Sequence, residues 1–240
     1  MSSWERVVVL AEEQWGMFTR QQAEQRGMAW STLSRMASTG RAERVGRGVY
    51  RIRGAEPPAQ AALRVAWLEL APSVPVWGRS VDQGVVSHRS AATLFGLGDL
   101  PADVHEFTLP VRRQTRREDV RLHRGDVADG VVSREGLLAT RPARTIVDLL
   151  TDGADPSAVS TIVAESLDAG YDGPAVVAHW LSAVAHSYEF GDGVSALGWL
   201  LDLAGAADRD RWIAEATEGV SVSSATFAIA TRTQVPSGWR

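Results

Sequence analysis

Residues 18–53 read FTRQQAEQRGMAWSTLSRMASTGRAERVGRGVYRIR, and this stretch decides the fold of the N-terminal part of the chain. Thr19 and Gln22 have the Thr-x-x-Gln spacing of a capping box, which predicts that a helix starts at Thr19. Gly27 is well placed to end that helix in a left-handed conformation. The preceding segment, WERVVVLAEEQWG, predicts a short amphipathic helix with one apolar side formed by Trp4, Val7, Val8 and Ala11.

A third helix is predicted within MAWSTLSRMASTG, residues 28–40, and Gly40 ends it. At about 100° per residue, its apolar residues share one arc: Ala29, Leu33, Met36 and Ala37, with Trp30 at the edge. The opposite arc contains Ser31, Arg35 and Ser38, which are spaced i, i+4 and i+7. Such a small, polar and cationic face suits a helix that enters the major groove of DNA.

A β-hairpin is predicted next, because apolar residues alternate around the Gly-Arg-Gly tip at residues 46–48. Three helices followed by a hairpin is the element order of a winged helix-turn-helix. From Met28 to Arg53 there are six Arg and one Glu, which favours contact with DNA. A protein-binding module is the alternative, since small helical units with hairpins also serve that role.

Most of the predicted DNA-contact residues are assigned either to bases or to phosphates. Ser31, Thr32 and Arg35 are predicted to read bases, with Arg35 bidentate to a guanine. Phosphate contacts are predicted for Arg41, Arg44, Arg47, Arg51 and Arg53, and Arg47 at the wing tip also suits a minor groove. Ser34, Ser38 and Tyr50 complete the set. We expect a monomer or weak homodimer that binds inverted repeats as a pair.

Composition excludes several function classes. The chain of 240 residues has no cysteine, and all 25 of its Lys+Arg residues are arginine. Disulfides, thiolate chemistry, a Walker A loop and Schiff-base catalysis are therefore excluded. No apolar window suits a membrane span, and the N-terminal residues do not resemble a signal peptide. We expect a cytoplasmic, non-enzymatic protein without cofactor or metal.

Charge is distributed unevenly along the chain. Residues 1–54 contain nine Arg against five acids, residues 55–150 twelve of each, and residues 151–240 four Arg against twelve acids. We predict three segments with these bounds: the winged helix-turn-helix, an α+β middle segment and an acidic, mainly helical segment. The alternative is that the last two form one body. Residues 54–60, with two prolines, predict a linker, and AALRVAWLELA predicts a helix after it.

The stretch VVSHRSAATLFGLG, residues 85–98, raises a choice between catalysis and structure. Ser87 is positioned as an N-cap, and His88 would share a face with Ala91, Ala92 and Phe95. A Ser–His nucleophile would need side chains that meet, whereas adjacent residues on a helix diverge by about 100°. We therefore favour a cap and a packed histidine, with Arg89 available for a contact.

The remaining middle segment predicts two pairing strands, VHEFTLP and VRLHRGDV. Between them lie Arg112, Arg113, Arg116 and Arg117, which form either a solvated hairpin loop or, with Arg89, a second phosphate-binding patch. GLLATRPARTIVDLL predicts a strand entering a helix near Pro142. In that helix Arg144 and Asp148 favour an i, i+4 ion pair, the alternative being a role in holding the winged helix.

Four helical patterns are predicted after residue 156, and residues 221–240 predict a strand with a frayed end. His179 and His186 share a helical spacing, but no carboxylate at i+3 or i+4 supports a zinc site. The acidic charge of this region predicts that it avoids DNA and faces a basic partner or a second copy.

Five stretches together resemble one known family. The residue 18–52 run, followed by VVSHRSAATLFGLGDLP, VHEFTLP, VRLHRGDV and GLLATRPARTIVDLL in this order, is similar to AbiEi-type antitoxins of type IV toxin–antitoxin systems. The resemblance covers about residues 10–150. It implies a protein that binds operator DNA of its own operon, represses it and counteracts a nucleotidyltransferase-like toxin.

The sequence thus predicts an α+β protein with an N-terminal winged helix-turn-helix and a larger mixed body with a mainly helical C-terminal third. Sequence-specific DNA binding and autorepression as an antitoxin is the favoured function. One alternative is a nuclease-like enzyme targeted by its winged helix, although lysines and clustered carboxylates are lacking. The other is a scaffold whose acidic part binds a basic partner protein.

Overall fold

The computed structural model describes residues 1–219. Packing divides the described chain into two compact units, the first formed by residues 1–94 and 101–140 and the second by residues 95–100 and 141–219. The first unit thus includes the predicted winged helix-turn-helix and most of the predicted middle segment. The predicted division into residues 1–54, 55–150 and 151–240 stays a prediction. The α+β fold class is confirmed.

The N-terminal part has the predicted three helices and hairpin, with one additional strand. Its elements are α1 Ser3–Glu12, β1 Met17–Thr19, α2 Arg20–Gln25, α3 Trp30–Ser38, β2 Ala42–Gly46 and β3 Val49–Ile52. The strands form an antiparallel sheet in the order β1-β3-β2. Sequence periodicity does not predict β1, because its three residues are all buried and show no alternation.

Local sequence signals fix the helix boundaries in this part. The predicted capping box of α2 is confirmed, since Thr19 Oγ1 accepts from the Gln22 N–H and the Gln22 side chain accepts from the Thr19 N–H. Gly27 and Gly40 have φ angles of +78° and +71°, so each follows its helix in a left-handed conformation, as predicted for Gly27. The core beneath the helices consists of Val7, Leu10, Ala11, Phe18, Ala23, Met28, Leu33, Ala42 and Tyr50.

Helix α4, Ala61–Leu70, covers the other face of the wing sheet. Met17 and Val49 of the sheet pack there against Val65 and Leu68 of α4 in a second buried cluster. The predicted linker contains no helix or strand from residue 55 to residue 60. Because the sheet is covered on both faces, the wing is fixed to the rest of its unit instead of being hinged by the linker.

A second sheet of five strands completes the first unit. Its strands are β4 Val85–Val86, β5 His105–Leu109, β6 Val120–Arg124, β7 Val131–Arg134 and β8 Leu137–Thr140, in the order β6-β5-β4-β8-β7. Helix α5, His88–Phe95, follows β4. Two short 3-10 helices, Val76–Gly78 and Val81–Gln83, precede the sheet. The hairpin of β7 and β8 turns through Glu135 and Gly136, both with positive φ, and was not predicted.

The predicted pairing of β5 with β6 is confirmed, but the predicted hairpin between them is wrong. The two strands pair in parallel, with His105 opposite Val120 and Leu109 opposite Arg124. Residues 110–119 therefore return along the sheet as a crossover and do not form a hairpin turn. Alternation of apolar residues indicates that a strand is present, but it contains no information on strand direction.

The described part of the second unit is helical. Its elements are α6 Pro142–Thr151, α7 Pro156–Asp168, α8 Pro174–Leu181, the 3-10 helix Ala185–Tyr188, α9 Gly193–Ala204 and helical residues 209–219. Asp172, which is buried, accepts from the Ala143 N–H at 2.7 Å and from Arg141 Nε at 2.6 Å, and so caps α6. The predicted Arg144–Asp148 ion pair is present at 3.5 Å.

The strand predicted in residues 221–240 lies outside the described residues. None of the helices within residues 1–219 has the length and apolar content needed to cross a membrane. The same residues include no group of three or more His, Asp or Glu side chains arranged to hold a metal ion.

Candidate nucleic-acid interface

Helix α3 has the two faces that its sequence predicts, except that Ala29 lies before the helix and is exposed. Leu33 is fully buried, and Met36 and Ala37 pack partly against the same core. On the opposite side Ser31, Ser34, Arg35 and Ser38 are exposed, whereas Thr32 is half-buried. Arg35 makes no side-chain hydrogen bond or ion pair with any residue in the described range 1–219. Its five N–H donors are therefore available to an external acceptor.

The wing tip is held in place by a carboxylate from α4. Glu69 Oε1 accepts from the backbone N–H of Arg47 at 2.8 Å. The register shifts by one residue between Arg44 and Gly46, and a Cβ added at Gly46 would meet Val65 Cγ1 at 2.3 Å and Glu69 Oε1 at 2.9 Å. Only glycine fits this close approach of the wing to α4. The Arg47 side chain itself is exposed.

The other predicted contact residues differ in how available they are. Arg41 is exposed at the start of the hairpin, and Arg44 is exposed with its Nε donating to the Gly46 carbonyl at 3.2 Å. Arg53 is exposed and donates to the Gly40 carbonyl at 3.4 Å. Arg51 is half-buried and pairs with Glu43 at 2.7 Å across the two strands of the wing.

Tyr50 does not belong with the exposed residues of the predicted interface. Its side chain is only 4% exposed and stacks on Phe18 with ring centroids 5.7 Å apart. Strand alternation explains the difference, because Tyr50 faces the helical core while Val49 faces α4. Tyr50 therefore belongs mainly to the core, although part of it also lines the cavity beside the wing, and its predicted contact with DNA stays a prediction.

A cationic cavity of about 890 Å³ lies beside the wing, within the first unit. One wall is formed by α2, the start of α3 and the wing, and the other by residues 113–117 of the crossover loop. Six arginines and one acid line it: Arg20, Arg44, Arg47, Arg113, Arg116, Arg117 and Glu69. We call this cavity the arginine groove.

Part of the predicted secondary patch lies in the arginine groove and part does not. Arg113, Arg116 and Arg117 line it, while Arg112 is exposed on the same loop but outside the lining. Arg89 is exposed at the start of α5 and is not in the groove. The structure therefore brings three of these five arginines to the wing and separates the other two from it.

Two of the loop arginines anchor the loop. Arg117 pairs with Glu69 at 2.9 Å and with Asp119, and Arg113 donates to the Leu70 carbonyl at 2.6 Å. The hydrogen bond to Asp119, and then that to Glu69, raises the pKa of Arg117 above its ordinary value. The loop is thus tied to the end of α4 by two arginines.

Arg79 stabilises the same end of α4. Its guanidinium donates to the carbonyls of Trp67 and Leu68 in the last turn of the helix and of Ala71 directly after it, groups that have no partner within the helix. Burial, together with the charge of Arg113, lowers the pKa of Arg79 to about 10. It remains protonated at neutral pH and keeps the helix end ordered beside the groove.

The Ser87–His88 pair differs from its prediction. The two side chains meet, with His88 Nδ1 2.9 Å from Ser87 Oγ, because His88 has a φ of +51° instead of a helical value. Ser87 Oγ also accepts from Thr108 Oγ1 at 2.8 Å. The predicted hydroxyl cap is wrong: Glu106 Oε2 accepts from the first-turn N–H of Arg89 at 2.9 Å instead.

His88 is buried, as predicted, and its ring stacks on that of His123 with centroids 3.6 Å apart. His123 Nε2 lies 3.2 Å from Glu106 Oε1. Burial alone would raise the pKa of Glu106, but hydrogen bonds from His123 and the Arg89 N–H and the charges of both histidines hold it below its ordinary value. This network links the end of β4 to β5, β6 and α5. Ser87 is fully buried within it, so its hydroxyl is not accessible to a substrate.

The part of the chain that matches a known family includes α3 and the wing. Residues 5–53 match the family described as transcriptional regulator, AbiEi antitoxin. The match extends from α1 through the wing and confirms the resemblance over this segment. For the middle segment the resemblance stays a prediction. No curated protein matches the chain.

Two residues that position the interface were not predicted from the sequence, and both lie beyond residues 5–53, which we call the AbiEi-like segment. Glu69 and Arg79 both lie beyond it, and one holds the wing tip while the other orders the end of α4. Glu69 follows a run of buried residues in α4, and the sequence signal that could have found it is a single acid between two leucines of an apolar helix. Nothing in the local sequence pairs it with Arg47, which is 22 residues away.

Proposed function

We propose that this protein is a sequence-specific DNA-binding regulator that represses its own operon and acts as the antitoxin of a type IV toxin–antitoxin pair. The family match of residues 5–53 supports a transcriptional regulator of the AbiEi antitoxin kind. The more specific features are our inference: operator recognition, autorepression and action in the cytoplasm against a nucleotidyltransferase-like toxin.

One observation supports DNA binding most directly. Among the exposed arginines of the AbiEi-like segment are Arg35 on α3 and Arg47 on the wing tip, and neither side chain is neutralised by a described carboxylate. An arginine on a helix that fits the major groove reads guanine edges, whereas one on a wing contacts phosphate or the minor groove. The two side chains thus have separate tasks.

We propose that Ser31, Thr32 and Arg35 read bases, with Ser34 and Ser38 beside them. Arg41, Arg44, Arg47 and Arg53 contact phosphates, and Arg51 contributes through its pairing with Glu43 in the wing. Two copies occupy inverted repeats, since half-site symmetry commonly mirrors a protein pair. Residues 151–240, with twelve acids against four arginines, stay away from the DNA.

The proposal is tested by fluorescence anisotropy with the full chain on two labelled duplexes. One duplex is the DNA immediately upstream of its own coding sequence, and the other has the same length and composition in scrambled order. Preference of about 10³-fold or more for the upstream DNA is expected of a specific regulator. Equal affinity for both duplexes would contradict operator recognition.

Two further assays separate this function from the alternatives. Incubation with supercoiled plasmid and divalent metal is expected to leave the plasmid intact, whereas nicking would support a nuclease. Co-expression with the neighbouring gene product is expected to give no stable complex, because we propose a type IV mode in which the toxin is not bound. Stable co-purification would favour the scaffold instead.

A further inference from the structure

We propose that the arginine groove is a second phosphate-binding site, in which the crossover loop 110–119 contacts the DNA backbone that passes the wing. This inference rests on the proposed function and adds a contact outside the AbiEi-like segment. The loop begins 57 residues after the end of that segment, so the contact extends the interface to a different part of the chain.

The two walls of the groove are joined through one side chain. Glu69 Oε1 accepts from the Arg47 N–H at 2.8 Å, and Glu69 Oε2 pairs with Arg117 Nη1 at 2.9 Å. Arg113 ties the same loop to the Leu70 carbonyl at 2.6 Å. Wing tip and loop are therefore held at a fixed separation, as a preorganised binding site requires.

Internal contacts occupy four of the six groove arginines: Arg44 and Arg113 donate to the carbonyls of Gly46 and Leu70, and the other two are paired with acids. Arg117 is neutralised by Glu69 and Asp119, and Arg20 pairs with Glu24 at 2.7 Å. The exposed side chains of Arg47 and Arg116 make neither an ion pair nor a hydrogen bond with any residue from 1 to 219. Arg47 belongs to one wall and Arg116 to the other, so a bound phosphate strand meets a free guanidinium on each side.

The chemistry of the lining points to a phosphodiester backbone. With six arginines against Glu69, the groove has a net positive charge, and Gln114 and Thr115 add neutral donors next to Arg116. A backbone supplies repeated singly charged phosphates, and contacts to them are independent of sequence. The groove should therefore contribute to binding of any duplex, unlike Arg35.

The test uses the salt dependence of binding to a random-sequence duplex of about 30 base pairs, longer than a typical half-site pair. Each phosphate contact that is lost lowers the slope of log K against log salt by about 0.9. Arg116→Ala is expected to lower the slope by that amount and to weaken binding roughly 3- to 10-fold at moderate salt.

Arg112→Ala is the matched control, because Arg112 is exposed on the same loop with the same charge but does not line the groove. Its change in slope is expected to be less than half that of Arg116→Ala. Equal changes for the two variants, or no change for either, would overturn the inference. If the wild-type protein binds neither this duplex nor the upstream DNA, the proposed function itself fails, which is a distinct result.

A competition arm separates the DNA backbone from a free polyphosphate, since both offer the same chemistry. Inorganic triphosphate at constant ionic strength is expected to leave the complex intact at micromolar concentration. Displacement at micromolar triphosphate that is lost in Arg116→Ala would assign the groove to a small anion and overturn the backbone assignment.

Discussion

At the scale of single residues, Arg35 and Arg47 are expected to act differently on DNA. Arg35→Ala should cost on the order of 1–3 kcal/mol on the upstream DNA and relax the choice of sequence, because a base contact is lost. Arg47→Ala should weaken binding to upstream and random DNA alike, because phosphates are common to both. Fluorescence anisotropy on both duplexes measures each effect.

One outcome would directly contradict these separate roles of Arg35 and Arg47. Equal losses on upstream and random DNA for both variants would show that neither residue reads sequence. Arg124→Ala serves as the control, since Arg124 is exposed at the opposite end of β6 from the arginine groove.

Glu106 gives a prediction for pH-dependent stability. A carboxyl group whose pKa is lowered on folding stabilises the native state above its unfolded pKa, near 4.5, and this stabilisation is lost as the pH falls through the folded value. Glu106→Gln is therefore expected to cost about 1–3 kcal/mol at pH 7 and much less at pH 3. Urea unfolding at the two pH values measures the difference, with the exposed Glu118→Gln as control. A cost that is the same at both pH values would contradict this assignment.

At the scale of elements, the packing of the wing against α4 predicts a strict need for glycine at position 46. Gly46→Ala places a Cβ within 2.3 Å of Val65 Cγ1. Displacing the wing should cost about 1–3 kcal/mol of stability, as overpacking does elsewhere, and should weaken DNA binding as well. Urea unfolding is the measurement. Gly191→Ala is the control because a Cβ there meets nothing within 4 Å, and equal stability of both variants would contradict the packing.

If Glu69 anchors the wing tip, replacing it should change the affinity for DNA in the direction opposite to that expected from net charge alone. Removal of an acid from a cationic groove should raise affinity for DNA if charge alone decides. If Glu69 positions the wing tip and the loop, Glu69→Ala should instead lower affinity for random DNA severalfold. Glu118→Ala, which removes an exposed acid from the same loop, is the control and should raise affinity slightly. Higher affinity in both variants would contradict an anchoring role for Glu69.

The elements that sequence predicts well are those whose signals are local. The capping box at Thr19, the two faces of α3 and the Gly-Arg-Gly tip each depend on residues within a few positions of one another, and each is present. The parallel pairing of β5 with β6 and the turn at Ser87 depend on partners far along the chain. Glu106, which caps α5, is 17 residues from Arg89, so no local pattern could assign it.

At the scale of the whole molecule, the interface itself was only partly predictable. The exposed arginines of residues 28–53 follow from helix and strand periodicity. The burial of Tyr50 does not, because both faces of the wing sheet are covered. That the loop at residues 113–117 lines a cavity with Arg44 and Arg47 follows from the crossover of two parallel strands. Charge runs in a sequence show which residues are cationic, but they do not show which of them meet.

The central claim is that the protein recognises its own upstream DNA through α3 and the wing. Hydroxyl-radical footprinting of the full chain on that DNA at moderate salt tests it most directly. We predict protection of two inverted half-sites whose centres are about one or more helical turns apart, and loss of this pattern in Arg35→Ala. No protection of the upstream DNA, at protein concentrations high enough to bind random DNA, would contradict the claim.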